Sequence, residues 1–130
     1  MDTNSQPVVF FSGHAAWSDS SALACLDALM SFAVFEIPVV LVLHGAGVLQ
    51  ALRGQDGTAL GLKTLAQRFG ALPLYGVTEV LVDAESLTTR QLQAEDLLQR
   101  EDDAEIVDWR LVQREELTRL LAGARTVYTF

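Results

Sequence analysis

The chain alternates between short apolar runs and longer amphipathic stretches. Two runs, VVFF at 8–11 and PVVLVL at 38–43, contain no polar position. A strand with one solvated face alternates between apolar and polar residues, whereas a strand covered on both faces reads as a continuous apolar run. These two runs therefore predict buried strands of a parallel sheet.

Three later segments predict further strands. Residues 79–83 (EVLVD) predict a clear strand, 106–109 (IVDW) could form another, and 125–130 (RTVYTF) are rich in β-branched and aromatic residues. Segment 72–75 is expected to be a short bend or strand, and its Pro73 argues against a central position in the sheet. The pattern predicts about five strands.

Amphipathic stretches between these runs predict helices. The clearest one begins after Ser18, Asp19 or Ser20, each of which is a suitable N-cap, and continues to residue 34. Its predicted apolar face comprises Leu23, Leu26, Leu29, Met30, Ala33 and Val34.

Shorter helices are predicted at 48–52, 58–69, 84–87 and 113–121. We expect Gly70 to end the second of these, and Leu117, Leu120 and Leu121 to face inward from the last. The polar and acidic segment 91–104 is expected to form a solvated helix and loop.

The alternation of strands and helices predicts an α/β fold. In such a fold, helices cover both faces of a mostly parallel sheet and form a three-layer sandwich. We find no internal repeat and no segment long enough to be a linker, so residues 1–130 are expected to form a single domain.

Composition excludes several functional classes. Seventeen acidic residues against nine Lys and Arg give a net charge of −8, which disfavours direct nucleic-acid binding. The longest apolar run is far shorter than the roughly 18 to 20 residues of a membrane span. The polar start MDTNSQ does not resemble a signal peptide, so a cytoplasmic protein is expected. One cysteine and two distant histidines make a metal site unexpected.

A few residues are candidates for chemistry. Cys25 lies in the middle of a predicted helix and reads as a small core residue, although a thiol nucleophile is the alternative. His14 and His44 each follow a predicted strand, so both are expected at one sheet edge, as acid–base groups or as structural ones. Asp83 ends a strand and reads as a helix cap or as a site carboxylate.

The turn Gly45–Ala46–Gly47 follows a buried strand. At that edge of an α/β sheet, ligands and partners usually bind. The turn lacks both the G-x-G-x-x-G spacing and the lysine of a P-loop, so it is a weak nucleotide motif, and small-molecule binding is an alternative. We expect an interface with a partner in the turn and the helix after it; the alternative is a helix that simply covers the sheet. The predicted interface residues are Gly47, Val48, Leu49, Gln50, Leu52, Gly54 and Gln55.

Several motifs together resemble a known family. LDALM at 26–30, GVLQALRGQ at 47–55, YGVTEVLVDAESL at 75–87 and the aromatic-rich end resemble the TusC/DsrF subunits of the DsrE-like sulfur-relay proteins. The resemblance covers nearly the whole chain in the same order. It implies a flavodoxin-like α/β fold and assembly with TusB-like and TusD-like paralogues into a heterohexamer. No cofactor is expected.

The resemblance also implies a function. Such a complex passes persulfide sulfur to a TusE-like carrier, towards 2-thiolation of the wobble uridine in tRNA, while related Dsr complexes serve sulfur oxidation. In the catalytic paralogue, the sulfur-carrying cysteine follows the strand that matches 80–82. Asp83 or its neighbours hold that position here, so the resemblance implies a non-catalytic subunit with no catalytic residue. Relatives often carry Asp-Gly-Val after the second strand, where this chain has Ala46-Gly47-Val48.

Overall fold

Five parallel strands form one sheet in the computed structural model, which describes residues 6–15, 20–51, 68–97 and 107–130. Each of the four pairings is parallel, and the order across the sheet is β4-β3-β2-β1-β5. The predicted α/β fold with a mostly parallel sheet of about five strands is confirmed. The strands are β1 Val8–Ser12, β2 Val39–Leu43, β3 Glu79–Asp83, β4 Asp108–Val112 and β5 Thr126–Thr129.

The strand order explains how the helices divide between the two faces. From β1 to β4 the chain steps across the sheet in one direction, and right-handed crossovers place the described helices of these connections on one face. That face holds α1 (Ser21–Val34), a 3₁₀ helix at Leu72–Tyr75 and α2 (Ala84–Thr89). The return from β4 to β5 reverses the direction, so α3 (Arg114–Ala122) packs on the opposite face.

The apolar run in β2 serves both faces at once. Leu41 and Leu43 belong to the core beneath α1, while Val42 belongs to the smaller core beneath α3. Because successive side chains of a strand point to opposite faces, a strand between two helical layers needs apolar residues at every position. This is the reason for the continuous run that the sequence shows.

Helix α1 confirms most of its predicted apolar face. Leu26, Leu29 and Ala33 are buried. Leu23 and Met30 are partly buried and pack against the same core. The prediction that Val34 belongs to this apolar face is wrong. Val34 is the last residue of the helix and is exposed, at the point where the chain turns towards β2. Ser20 holds the N-cap position without a side-chain hydrogen bond, and Ser18 and Asp19 lie outside the described residues.

Several helices and strands begin or end at other residues than predicted. Residues 72–75 form a 3₁₀ helix with Pro73 near its start, because proline lacks the N–H group that the first turn of a helix leaves unpaired. Gly70 does not end a helix, since residues 68–71 are helical; the earlier part of the predicted helix at 58–69 lies outside the described residues. The strand predicted at 106–109 begins at Asp108 and extends to Val112.

Two predictions on the acidic part and the last helix also changed. The described part of segment 91–104 contains a short 3₁₀ turn at Ala94–Asp96, followed by the buried Leu97. In α3, Leu117 is buried and Leu120 packs against the core, but Leu121 is exposed because α3 covers the sheet with a single narrow stripe. None of the helices in the described ranges is both long and apolar enough to span a membrane.

The core beneath α1 can be tested with two leucines. Leu29 is fully buried and Leu74 is 81% exposed, so the same substitution probes opposite environments. We expect Leu29→Ala to lower the free energy of unfolding by about 2–5 kcal/mol, through lost burial and a residual cavity. Leu74→Ala should change it by about 0.5 kcal/mol or less. Urea denaturation measures both, and equal losses would contradict this packing.

Candidate site at the carboxyl edge of the sheet

The edge at which β1, β2 and β3 end collects polar side chains from distant parts of the chain. The predicted placement of both histidines at one edge is confirmed, because β1 and β2 are parallel and pair Ser12 with Leu43. The backbone N–H of His44 donates to the carbonyl of Ser12 at 3.2 Å. The residues gathered here are Ser12, His14, His44, Gln50, Asp83 and Ser86.

A close backbone approach at Gly47 shapes this edge. After β2 the chain enters a 3₁₀ helix at Gly45–Ala51, which starts earlier than the predicted helix and is more tightly wound. A Cβ atom at Gly47 would lie 1.9 Å from the carbonyl oxygen of Ser12, a distance that no side chain can occupy. Glycine is therefore required where this turn folds back onto the end of β1.

Gln50 ties the turn to β1 through its side-chain amide. Its Nε2 atom donates to Ser12 Oγ at 2.7 Å and to the carbonyl oxygen of His14 at 2.8 Å. The residue is buried, and a buried amide is stable only when its polar atoms have partners. These two bonds give Gln50 a structural role inside the chain that the sequence did not reveal.

The predicted interface residues divide into three groups. Gly47, Val48 and Gln50 are buried within the chain, where they form the base of the edge. Leu49 is half-buried. The remaining members, Leu52, Gly54 and Gln55, lie outside the described residues. A partner would therefore meet the outer side of the turn rather than these buried side chains, and the interface stays a prediction.

Asp83 does not cap α2 in the predicted way. It holds the N-cap position, yet its side chain makes no bond to the backbone N–H groups of the helix. Instead Oδ2 accepts a hydrogen bond from Ser86 Oγ at 2.6 Å, and Ser86 Oγ in turn accepts one from the N–H of Gly45 at 2.9 Å. Sequence reasoning missed Ser86, although the D-x-x-S spacing at a strand-to-helix junction favours such a contact.

The other oxygen of Asp83 is unusual. Asp83 is 5% exposed, and its Oδ1 atom has no hydrogen-bond partner within the described part of the chain. Buried carboxylate oxygens are normally hydrogen-bonded, because an unpaired one carries its full desolvation cost. Ligands of α/β proteins usually bind at this edge of the sheet, so the unpaired oxygen marks Asp83 as a functional candidate.

The glycine turn is a poor phosphate site. The N–H of Gly45 donates to Ser86, and the N–H of Gly47 donates to the carbonyl of His44 at 2.8 Å. A phosphate cradle needs such N–H groups free and pointing at the ligand. With Asp83 behind the same turn, an anion would also meet a negative charge, so these contacts weigh against the nucleotide alternative.

His44 is the half-buried titratable group of this edge. Burial lowers the pKa of its imidazole, the carboxylate of Asp83 raises it, and His14 lowers it; the net shift is downward. The imidazole is therefore neutral at pH 7 and able to accept a proton. Across the described residues, no cluster of three or more His, Cys, Asp and Glu side chains could hold a metal ion.

Cys25 lies beneath this edge rather than in it. The residue is fully buried, and burial raises the pKa of its thiol to about 12, an effect that a hydrogen bond with Ser12 opposes in part. The predicted role of a small core residue fits this position. A thiol nucleophile must be exposed and deprotonated, and Cys25 is neither.

Comparison with known proteins identifies the family. The sequence model of the DsrE/DsrF-like family matches residues 6–130. The chain belongs to this family. The resemblance seen in the sequence motifs is therefore confirmed.

Curated relatives of this DsrE/DsrF-like chain carry two kinds of name. It is 34% identical to a protein named TusC homolog from Pseudomonas aeruginosa over 93 residues, which cover 72% of this chain and 78% of the relative. It is 36% identical to a TusC homolog from Vibrio vulnificus, covering 72% and 77% of the two chains. It is 29% identical to the intracellular sulfur oxidation protein DsrF from Allochromatium vinosum, covering 70% and 67%.

A solved structure shares the fold of this DsrE/DsrF-like chain. The crystal structure of the ychN protein from E. coli superposes with a TM-score of 0.73, covering 96% of this chain and 99% of that one. The sequence identity is 20%, so the likeness concerns the fold alone.

The backbone approach at Gly47 gives a direct test. Gly47→Ala would place a methyl group against the carbonyl of Ser12 and should lower the free energy of unfolding by about 1–3 kcal/mol or more. Gly123→Ala is the matched control, since its Cβ would lie 3.7 Å from its nearest neighbour. Urea denaturation of both variants is the measurement, and a Gly47→Ala protein as stable as the control would disprove the contact.

The state of the single thiol is equally testable. Because Cys25 is buried with a pKa of about 12, iodoacetamide should not modify the native protein at pH 8. In urea, the same reagent should add one group per chain, since the chain has one cysteine. Intact mass measurement distinguishes the two states. Rapid modification of the folded protein would mean that Cys25 is accessible.

Proposed function

We propose that this protein is a non-catalytic subunit of a sulfur-relay complex of the TusC/DsrF type. The observation that carries the proposal is the burial of the single cysteine in a member of the DsrE/DsrF-like family. A subunit that carries sulfur as a persulfide needs a reachable thiolate. This chain has no second thiol with which to provide one.

The carboxyl edge supports the same reading. A persulfide can form on a cysteine but not on a carboxylate, and the residue that ends β3 is Asp83. The hydroxyl of Ser86 and the amide of Gln50 are both used in contacts that hold the edge together. The edge is thus built as a shaped and polar surface without an exposed nucleophilic sulfur.

The proposed partners are TusB-like and TusD-like paralogues in a heterohexamer, with a TusE-like carrier reached indirectly. Large exposed apolar side chains support assembly with other chains, among them Val34, Phe35 and Leu74. Val34 and Leu74 line the same groove, whose volume is about 790 Å³. The net charge of −8 argues that another component contacts the RNA.

We favour tRNA 2-thiolation as the destination of the sulfur. The higher identities, 34% and 36%, are to proteins named TusC homolog, against 29% for the sulfur oxidation protein DsrF. Sulfur oxidation in a DsrEFH-like complex is the alternative. A cytoplasmic location stays a prediction from the sequence.

The assembly can be tested by affinity purification of this protein from its own cells, followed by native mass spectrometry. We expect two small α/β partners in equal amounts, one of which carries a cysteine after the strand that matches β3. In the purified complex, Cys25→Ala should leave sulfur transfer at the level of the unaltered chain, because Cys25 only fills the core. Isolation of this protein as a stable monomer or homo-oligomer would contradict the proposal. Loss of sulfur transfer by an assembled Cys25→Ala complex would contradict it as well.

A further inference from the structure

The imidazole of His44 is held in a defined position at the carboxyl edge. Its ring meets the ring of Phe11 edge to face, with centroids 5.1 Å apart. It also lies over Gly13, where a Cβ atom would come within 3.1 Å of both Cε1 and Nε2. A histidine that only faces solvent would not make such ring contacts. His44 makes them although it is only half-buried.

Asp83 lies on the strand next to the one that His44 follows. The register of β2 and β3 pairs Val42 with Leu81 and Leu43 with Val82, so His44 comes directly after the last pair on one strand and Asp83 directly after it on the other. The charge of the buried carboxylate acts on the imidazole, and Oδ1 has no partner within the described residues. His14, which is exposed, is the other titratable group that acts on His44.

A carboxylate that stabilises the protonated form of an imidazole helps to activate a nucleophile in many enzymes. Asp83 acts on His44 in this way through its charge, since its Oδ2 atom is bonded to Ser86. Here the third member is missing from the part of the chain that the structure describes. The hydroxyl of Ser12 is bonded to Gln50, that of Ser86 is bonded to Asp83 and Gly45, and Cys25 is fully buried. The described residues of the edge can thus accept a proton at His44, and none of the three groups named here is available to donate it.

We propose that His44, supported by Asp83, receives the thiol of a cysteine carried by another subunit and accepts its proton. The inference rests on the proposed function, which supplies sulfur-carrying partners. A thiol suits the site because it is small and neutral before it loses its proton, whereas an anion would be repelled by Asp83. The imidazolium that forms is stabilised by the carboxylate, and the thiolate remains beside it.

The step balances without an oxidant or a reductant. The S–H bond of the partner thiol breaks, and its proton moves to the unprotonated ring nitrogen of His44. The thiolate attacks the terminal sulfur of an incoming persulfide, so a new S–S bond forms as the old one breaks. The departing thiolate takes the proton from the imidazolium, which leaves one new persulfide, one free thiol and a neutral His44.

The test uses the purified complex and matched histidine variants. His44→Gln removes the proton acceptor, and His14→Gln changes the exposed histidine of the same edge. The rate at which iodoacetamide alkylates the partner cysteine is followed against pH, since only the thiolate reacts. We expect His44→Gln to lower the rate at pH 7 by about tenfold or more and to move the profile to higher pH. His14→Gln removes only the smallest of the three influences on the pKa of His44, so it should change the rate at pH 7 much less than His44→Gln does.

Each outcome discriminates between the two proposals. If the unaltered chain joins no cysteine-bearing subunit, the proposed function fails, and the inference fails with it. If the complex forms and an assembled His44→Gln variant keeps the unaltered profile, the inference alone is overturned.

A second measurement needs no variant. NMR titration of His44 should give a higher pKa in the complex than in the isolated chain, because a neighbouring thiolate favours the imidazolium. The same pKa in both states would overturn the inference. Titration of the isolated chain with N-acetylcysteine methyl ester tests a free thiol as the ligand. If this probe reproduces the pKa shift of His44 that is seen in the complex, the proposal of a thiol on another subunit is overturned in favour of a small-molecule thiol.

Discussion

The backbone approach between Gly47 and Ser12 is the constraint on which the carboxyl edge depends. Because no Cβ atom separates the two segments, the turn after β2 folds back onto the end of β1. Gln50 then reaches both Ser12 and the carbonyl of His14, and the N–H of Gly45 meets Ser86. The polar contacts at the ends of β1, β2 and β3 therefore depend on the absence of a side chain at Gly47.

The electrostatics of the chain follow from the same arrangement. Ser12, Gln50, Ser86 and Oδ2 of Asp83 form hydrogen bonds at the edge, whereas Oδ1 of Asp83 has no partner among the described residues. The charge of this carboxylate acts on the imidazole of His44. The thiol of Cys25 is kept protonated below them, in the core. In the assembly that we propose, the partners therefore carry the sulfur, and this chain contributes the polar edge with the imidazole of His44.

The sequence predicted the layers of the fold better than the site. Continuous apolar runs identify strands between two helical layers, since each position of such a strand must be apolar, as at Val39–Leu43. Helical spacing places Leu26 and Leu29 inside but misplaces Val34 and Leu121. Periodicity reports which way a residue points along a helix, and it carries no information on whether the sheet extends beneath that residue.

The site was less predictable because it consists of long-range contacts. Gln50 read as an interface residue, since polarity alone does not distinguish a partner chain from the carbonyl of His14. Asp83 read as a cap because its local position is that of one, while Ser86 competes for the carboxylate. What the sequence did convey was the shared edge of His14 and His44, which follows from parallel strands alone.

The pairing of β5 with β1 has a consequence for how the molecule forms. Val8 pairs with Thr126, so this contact joins segments that are separated by most of the chain, whereas β1, β2 and β3 each pair with the next strand in sequence. Distant pairings carry the largest entropy of loop closure, so we expect β5 to dock after the other four strands. Until it does, β1 is a bare parallel edge, and the carbonyl of Phe130 cannot hold the N–H of Gly13 beneath the ring of His44. Completion of the edge is thus coupled to the docking of β5, and a chain in which β5 has not docked presents no finished surface to a partner.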